Sequence, residues 1–412
     1  MSRKVIVIAG KDPTVIDGGT ESYLRAYGRA AIRAGYEPHH FCVSTYNDIQ
    51  TTEFGIVHRA RSPFRPFRGL MVAAHQRYIV RSVNRFVEQQ EGCYLIHSFG
   101  PWGGVGIAVA ERLRKRGLQA VPIVTSFTTY GHETRGKLLA LRRSPISMSR
   151  LQHEWELLWT LIAVDPGERR GLKRSKVVLV NYDSVRKIIL QQFGNDIGFR
   201  KITYASEAAF LKVGTKRNEL PKALARLEPK EAPLVIAVSR HDPRKGVDVL
   251  LRALVDLRDK GIRFRACLIG GGLLLEKHRA FVERCGLVTC TAVLGRVPDA
   301  YTYLEHGDIF ALPSLEEGGG SVSLLEAMQA GLAAVVSCVD GLPEDVIDGQ
   351  SALLTSPGDH AALATALSRL ITDRDLRVQI AHTGHREYRQ RFSAEAFVAD
   401  LQRVYSDLGL PP

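Results

Sequence analysis

No apolar stretch in this chain approaches the ~18 residues that a membrane-spanning helix needs, which excludes such a helix. None of the six cysteines (42, 93, 267, 285, 290, 338) forms a Cys-x-x-Cys pair or has a histidine at metal spacing. A zinc ribbon and a redox pair are therefore excluded, and scattered buried thiols in a reducing cytosol are expected. There is no short repeat, no coiled-coil heptad and no low-complexity tract, so solenoid, fibrous and disordered classes drop out. Residues 1–10 are too short and too quickly interrupted for a signal peptide, and are expected to form a first buried strand. One acidic motif of metal-binding type, Asp373-Arg-Asp375, lies at an expected helix boundary and is most simply a cap, so no metal and no cofactor is expected.

What remains is an ordinary soluble composition over 412 residues, enough for about two or three domains. The net charge of +13 is uneven: residues 1–200 hold 30 Lys+Arg against 16 Asp+Glu, and residues 201–412 hold 26 against 27. All of the basic excess lies in the first half. Two lobes are implied, one of them facing an anionic partner.

Strand-like apolar runs alternate with amphipathic helices throughout, which predicts an α/β fold of parallel sheets with helices on both faces. In the first lobe, strands are expected at 4–9, 94–99, 121–127 and 176–180, with a helix over 21–34 capped by Gly35. The charged, aromatic-poor stretch 211–233 is the expected linker. Strand 234–239, helix 247–260 and strand 263–269 then restart the pattern. A last helix is expected from Ser393, with Phe392 and Phe397 as a hydrophobic staple and Phe397, Leu401, Val404 and Leu408 as its apolar stripe. The expected boundaries are 1–210, linker 211–233, 234–390, and a C-terminal helix 391–412 that packs back toward the first lobe.

The most informative segment is Pro313–Gly331. An apolar strand run 308–312 leads into Glu316, Glu317, three glycines (Gly318, Gly319, Gly320) and a helix opening near Ser321. Such a turn lets backbone N–H groups approach an anion at the positive end of a helix dipole. Glu326, about one and a half turns on, is placed to accept hydrogen bonds from hydroxyls attached to that anion. A phosphate cradle next to a hydroxyl acceptor suggests a nucleotide or nucleotide sugar. Arg240 and Lys245 follow the first strand of the second lobe, where ligands of open parallel sheets bind. Two fixed cations there would stabilise charge building on a departing phosphate. Gly270–Gly272 after the next strand, and Gly18 and Gly19 at the first helix, are further turns of close backbone approach.

In this order the motifs resemble the retaining GT-B nucleotide-sugar glycosyltransferases of glycosyltransferase family 4 (glycosyl transferases group 1). The elements are Ser239-Arg240…Lys245-Gly246, Ile269-Gly-Gly-Gly272, Gly295-Arg-Val-Pro298, Asp308–Ser314, Leu325–Gly331 and Gly341-Leu-Pro-Glu…Asp348-Gly349. The resemblance implies two Rossmann-like lobes with a cleft between them. It places Arg240 and Lys245 on the donor diphosphate, Glu326 on the ribose, the backbone at Arg296 and Val297 on the base, and Gly18, Gly19 and Gly270 near the phosphates. Gly318, Gly319, Gly320 and Ser321 would present N–H groups to sugar and phosphate.

Three departures stand out. The two glutamates that the family spaces as E-x7-E would put the first at Gly318; Glu317 is one residue too far, so the loop carries an extra residue or Glu317 is not the sugar acid. Thr128 stands where the family often has a histidine, and His132 is the nearest imidazole. Ser206-Glu207 replaces the usual Asn-Gly.

The implied activity is a retaining hexosyl- or N-acetylhexosaminyltransferase using a nucleotide-diphosphate sugar, UDP favoured over GDP, in glycan, glycolipid or glycosylated-metabolite biosynthesis. Two basic–aromatic or basic–aliphatic segments, 59–71 and 135–143, suit an anionic or lipid-linked acceptor or an anionic membrane surface. No nucleic-acid module is recognisable. Location is expected to be cytoplasmic, peripheral to the inner face of the membrane where that surface engages lipid. The rivals are a catalytically weak binding or regulatory subunit of the same fold, an epimerase or phosphorylase of that fold, and a dehydrogenase suggested by the glycine-rich turn Gly100–Gly106.

Overall fold

Val5, Ile6, Val7 and Ile8 in strand β1 (Arg3–Ile8) are fully buried, as are Ala333–Val336 in β13 (Ala333–Ser337). A strand with no exposed face has to lie inside a parallel sheet covered on both sides. The computed structural model describes residues 3–15, 19–62, 72–87, 93–141, 154–155, 157–212 and 219–409. Contacts divide the chain into two units, Met1–Phe210 with Ala394–Pro412, and Leu211–Ser393.

The first unit orders its strands β3-β4-β2-β1-β5-β6-β7-β8. The remaining strands are β2 (Tyr36–Ser44), β3 (Asp48–Thr52), β4 (Gly55–Arg61), β5 (Cys93–Phe99), β6 (Gln119–Ser126), β7 (Val178–Val180) and β8 (Phe199–Lys201). Its helices are α1 (Gly19–Arg33), α2 (Val72–Val87), α3 (Gly103–Arg114), α4 (Tyr130–Leu141), α5 (Asp165–Arg174) and α6 (Asp183–Phe193). All strand pairs are parallel except β3 with β4, which differs from the wholly parallel expectation. Only Glu53 and Phe54 connect those two strands, too few for a crossover, so a hairpin is forced.

Strands β2 and β4 escape the sequence pattern because histidines interrupt their apolar runs. Inside the sheet two of these histidines pair with each other and the third meets a backbone carbonyl. His39 Nδ1 lies 2.9 Å from His58 Nε2, and His40 Nε2 lies 3.2 Å from the Phe54 carbonyl.

Three of the four glycines of the 100–106 turn serve packing, Gly100 (φ 52°) being the exception. A Cβ on Gly103 would lie 3.0 Å from Gly171 Cα, and one on Gly104 would lie 2.5 Å from the Gly167 carbonyl oxygen. A Cβ on Gly106 would overlap the Ser98 hydroxyl. Helix α3 therefore runs against α5 and β5 at backbone distance, and this contact accounts for the apparent dinucleotide fingerprint.

The last helix, Ala394–Asp407, belongs to the first unit. It buries Phe397, Leu401, Val404 and Tyr405. The Tyr405 hydroxyl sits 2.5 Å from that of Tyr27 and 3.0 Å from His97 Nδ1, while His97 Nε2 contacts Thr125 Oγ1 at 2.6 Å. Asp400 accepts both the N–H (3.0 Å) and the hydroxyl (2.7 Å) of Thr203.

The second unit orders its strands β11-β10-β9-β12-β13-β14, every neighbouring pair parallel. These are β9 (Leu234–Val238), β10 (Arg265–Ile269), β11 (Thr291–Gly295), β12 (Ile309–Leu312) and β14 (Ala352–Thr355), beside β13. Its longer helices are α7 (Val247–Asp259), α8 (Leu275–Arg284), α9 (Val322–Ala330), α10 (His360–Thr372) and α11 (Arg374–Arg391). Asp373 caps α11, accepting the Leu376 N–H at 2.9 Å, which is the role its sequence context suggested. Within the expected linker, residues 222–225 form a short helix, and Leu224 and Leu227 are buried despite their charged surroundings.

The close α3–α5 contact gives a test by two chemically identical substitutions. Gly104→Ala gains helix propensity but overlaps a carbonyl, and should lose about 1–2 kcal/mol net. Gly167→Ala, whose Cβ would meet no atom within 4 Å, should be neutral or gain up to about 1 kcal/mol. Urea unfolding that ranks the two variants equally would refute the packing explanation.

Candidate active site

Strand order in the second sheet reverses between β9 and β12, which pair through Ile309↔Val235 and Phe310↔Ile236. Loops leaving the carboxyl ends of two such strands enclose the crevice where ligands of open sheets bind. The loop after β9 carries Arg240–Gly246 and the loop after β12 carries Pro313–Ser321, so both sequence-identified motifs meet at the switch point.

The first loop is shaped by local chemistry. The Asp242 side chain accepts the Arg244 N–H at 3.0 Å and its carbonyl accepts the Lys245 N–H at 3.0 Å, with Pro243 between them setting the turn. Gly246 then takes a left-handed conformation (φ 59°) and opens α7. A Cβ there would overlap the Pro313 carbonyl oxygen, so the two loops touch backbone to backbone. The Arg244 carbonyl accepts N–H groups from Leu315 (2.7 Å) and Glu316 (3.2 Å).

Each glutamate of the second loop faces a cation of the first. Buried Arg244 lies 3.5 Å from Glu316 and 3.6 Å from Asp242. Lys245 Nζ contacts Glu317 Oε2 at 2.5 Å, while the Ser314 hydroxyl donates to Glu317 Oε1 at 2.6 Å. The Glu317 side chain is only 5% exposed, so this ion pair is largely shielded from water. Arg240, by contrast, is 55% exposed and only loosely paired, 3.8 Å from Asp242.

Asp340, in the loop after β13, accepts the N–H groups of Glu317 (2.7 Å) and Gly318 (2.8 Å) on one carboxylate oxygen. This corrects the expectation that all three glycines of the loop present free N–H groups to a ligand: the Gly318 N–H is already bonded to Asp340. Helix α9 opens at Ser321, whose side chain makes no capping bond to the helix N–H groups and instead lies 3.0 Å from the Ser323 hydroxyl. Glu326 is half-buried in that helix, near Tyr301. Burial first, then the carboxylates of Glu305, Glu326 and Asp299, push the Tyr301 hydroxyl above its ordinary range.

Gly270 and Gly272 answer to packing as well. A Cβ on Gly270 would overlap the Ser239 carbonyl oxygen, and one on Gly272 would lie 2.7 Å from the His241 carbonyl carbon. Arg296 is exposed, its side chain lying along Gly271 (3.1 Å from an added Cβ), and Val297 beside it is half-buried.

The remaining sequence-identified residues belong to the first unit. Gly18 lies outside the described residues. Gly19 begins α1 with open space where a Cβ would point. His132 is half-buried in the first turn of α4, its N–H donating to Thr129 Oγ1 at 3.1 Å. Burial raises the nearby Glu168 carboxyl to about 8, and the group accepts the Tyr130 N–H at 3.3 Å. Among the described residues no group of three or more His, Cys, Asp or Glu side chains could hold a metal ion.

Sequence reasoning missed Asp340, Arg244, Asp242 and Ser314. Asp340 immediately precedes the Gly341-Leu-Pro motif, yet nothing local says that its carboxylate reaches residues 317 and 318.

Behind Arg240 a buried histidine pair joins the loop to α8, with His241 Nδ1 2.8 Å from His278 Nδ1. Burial, then the neighbouring His278 and Arg279, lowers His241 to about 4; burial also lowers His278, against a pull upward from Asp248. Both folded-state values lie below the unfolded value of ~6.5, so the neutral pair stabilises the fold above that pH. The stabilisation is lost as pH falls from there toward 4. Melting temperatures between pH 7 and 4 should fall less steeply in His278→Gln than in the wild type. Parallel slopes would show that the pair does not titrate with unfolding.

Residues 222–387 match the family described as glycosyl transferases group 1. A GDP-mannose-dependent alpha-(1-6)-phosphatidylinositol monomannoside mannosyltransferase of Mycolicibacterium smegmatis is 30% identical over 165 residues, covering 37% of this chain and 43% of that protein. The capsular polysaccharide biosynthesis glycosyltransferase CapM of Staphylococcus aureus is 24% identical over 237 residues, covering 57% and 59%. The chain thus matches about half the length of these curated relatives. Among solved structures, sucrose-phosphate synthase from Thermosynechococcus elongatus superposes with a TM-score of 0.72 at 20% identity, covering 99% of both chains. Anabaena HepE in complex with UDP gives 0.68 at 17% identity, covering 98% of this chain and all of that one. At such identities the likeness speaks for the fold. The chain has the GT-B fold, and its second unit is a domain of the glycosyl transferases group 1 family.

Proposed function

We propose that this protein transfers a sugar from a nucleotide-diphosphate sugar to an acceptor hydroxyl with retention of configuration. The observation that carries the reading is the meeting of Arg240, Lys245 and the start of α9 at the β9–β12 switch point. A diphosphate lying there would meet an exposed guanidinium, an ammonium, and helix N–H groups that the Ser321 side chain leaves uncapped. As the bond from the anomeric carbon to the phosphate oxygen breaks, negative charge grows on the diphosphate, and these groups stabilise it. The acceptor oxygen bonds to the anomeric carbon on the same face, and its proton passes to the departing phosphate oxygen. The shielded Lys245–Glu317 pair holds the ammonium in place before the donor arrives. Glu326 would accept the ribose hydroxyls and Arg296–Val297 would flank the base, the roles implied by the family resemblance.

Both UDP and GDP donors are compatible with this reading. The names of the relatives include a GDP-mannose-dependent enzyme, and a structural neighbour is in complex with UDP. A thermal-shift panel of UDP-, GDP- and ADP-sugars identifies base and sugar together, and donor hydrolysis then tests turnover. Lys245→Ala should lower kcat by about 10²–10³-fold. Glu326→Ala should weaken donor binding with a stability change within roughly 1 kcal/mol. Inertness of the wild type toward every donor would favour a binding or regulatory subunit. NADH binding without nucleotide-sugar binding would favour a dehydrogenase.

A lipid-linked or anionic acceptor is favoured by one further surface of the first unit. The basic segment 59–71 lies largely outside the described residues, whereas residues 135–141 of the segment 135–143 form the last part of α4. Beyond them, Trp155, Leu158, Leu161 and Ile162 are all exposed, while Thr160, Val164, Glu168 and Leu172 form the buried stripe behind. The exposed stripe leads into Arg169, Arg170, Lys173 and Arg174 around an open cleft of about 740 Å³. Glu111 engages Arg170 and Arg174, and Asp196 engages Lys173. Apolar side chains beside cations suit an anionic phospholipid surface, and no helix among the described residues is long and apolar enough to cross one. Co-sedimentation should favour phosphatidylglycerol over phosphatidylcholine vesicles, weaken with salt, and weaken further in Trp155→Ala/Ile162→Ala. Binding indifferent to lipid charge and salt would count against this acceptor surface.

A further inference from the structure

We infer that Asp340 is a positioning residue for the cation that receives the donor diphosphate, acting on Lys245 through Glu317. The inference rests on the function proposed above but has its own structural readout.

Among the described residues Asp340 is the one non-glycine residue with positive φ, at 49°. Asp tolerates this left-handed conformation better than most residues, although it still costs energy. The turn around it is tight: the Val339 N–H donates to the Ser337 carbonyl at 2.9 Å and the Leu342 N–H to the Val339 carbonyl at 3.1 Å. That turn leaves the sheet beside the loop following β12, since β12 and β13 are hydrogen-bonded neighbours. From there one carboxylate oxygen accepts two backbone N–H groups, Glu317 at 2.7 Å and Gly318 at 2.8 Å. Both are charge-assisted bonds of the stronger kind.

The consequence passes along a short chain of contacts. Two bonds at consecutive residues fix the orientation of the Glu317–Gly318 peptide, where Gly318 is itself left-handed (φ 77°). With its backbone fixed, Glu317 directs its carboxylate to Ser314 Oγ at 2.6 Å and Lys245 Nζ at 2.5 Å. Lys245 carries its ammonium on a flexible four-carbon stem and, among the described residues, has no other ion-pair partner, so the Glu317 carboxylate sets where that charge sits.

Three variants separate the parts of this claim. Asp340→Asn keeps an acceptor oxygen and tolerates positive φ. Asp340→Gly keeps the backbone conformation and loses the acceptor, and Asp340→Ala loses both. The first readout needs no donor: pulsed acetic anhydride labelling of folded protein, with Lys245 acetylation followed by peptide mass spectrometry. In the wild type, Lys245 is shielded and should label slowly. Asp340→Gly should raise its labelling rate about tenfold at temperatures well below melting, and Asp340→Asn should stay near the wild type. The second readout is kinetics with the donor that the panel identifies. Asp340→Gly should lower kcat/KM about tenfold or more, with both KM and kcat affected, and Asp340→Asn should recover most of it.

A labelling rate in Asp340→Gly equal to the wild type overturns the inference, as does Asp340→Asn behaving no better than Asp340→Gly. Faster labelling with unchanged kcat/KM overturns it as well, because Lys245 would then be released without consequence. A wild type that turns over no donor refutes the proposed function while the labelling result still decides whether Asp340 positions Lys245.

Discussion

Strands β9 and β12 are hydrogen-bonded neighbours although their partner residues, Val235 and Ile309 among them, come from distant parts of the second unit. That pairing places two loops side by side at the carboxyl edge of the sheet, and the absence of a side chain at Gly246 lets them close to backbone contact. Lys245 and Glu317, 72 residues apart in sequence, form an ion pair only because of this arrangement. The Arg244–Glu316 approach and the Arg244 carbonyl bonds to residues 315 and 316 follow from the same adjacency. A group 1 glycosyltransferase domain thus assembles its cationic crevice from the sheet order rather than from any single loop.

Glycines in this molecule answer two different demands that look alike in a linear sequence. Gly103, Gly104 and Gly106 let α3 approach α5 and β5; Gly270 and Gly272 let one loop cross the carbonyls of Ser239 and His241. In each case the position that a side chain would occupy is already filled by backbone or by a neighbouring hydroxyl. Gly19 has no such neighbour, so packing within its own unit does not explain it. Gly35 and Gly331 also have open space beside them, but their left-handed φ values of 89° and 79° show that there the demand is a backbone conformation.

The first unit is closed by polar contacts deep in its interior. Tyr27, His97, Thr125 and Tyr405 form a continuous buried network that ties the last helix to α1, β5 and β6. Unpaired, these groups would each carry a desolvation cost of about 1–3 kcal/mol. The network therefore specifies which surface the helix may cover, where an apolar stripe alone would accept several. Burial holds the His97 imidazole far down, at about 3, so the network stays neutral across the physiological range.

Much of this architecture was legible in the chain. Apolar runs such as Val5–Ile8 and Ile309–Leu312, bounded by glycine and followed by amphipathic helices, specify buried parallel strands because each must hide both faces. Arg240, Lys245 and the glycine-rich turn before α9 announce themselves by type and by position after a strand. Strands β2 and β4 did not, because their histidines look polar until each has found its partner. The two glutamates after β12 could not be told apart in sequence, since their difference lies in which cation each meets: Arg244 for Glu316, Lys245 for Glu317. Asp340 was invisible for the same reason. Local patterns record what a residue demands of its own segment, namely burial, period and φ. Which atom satisfies it across the fold is a matter of strand order and loop contact, and those exist only once the sheet is assembled.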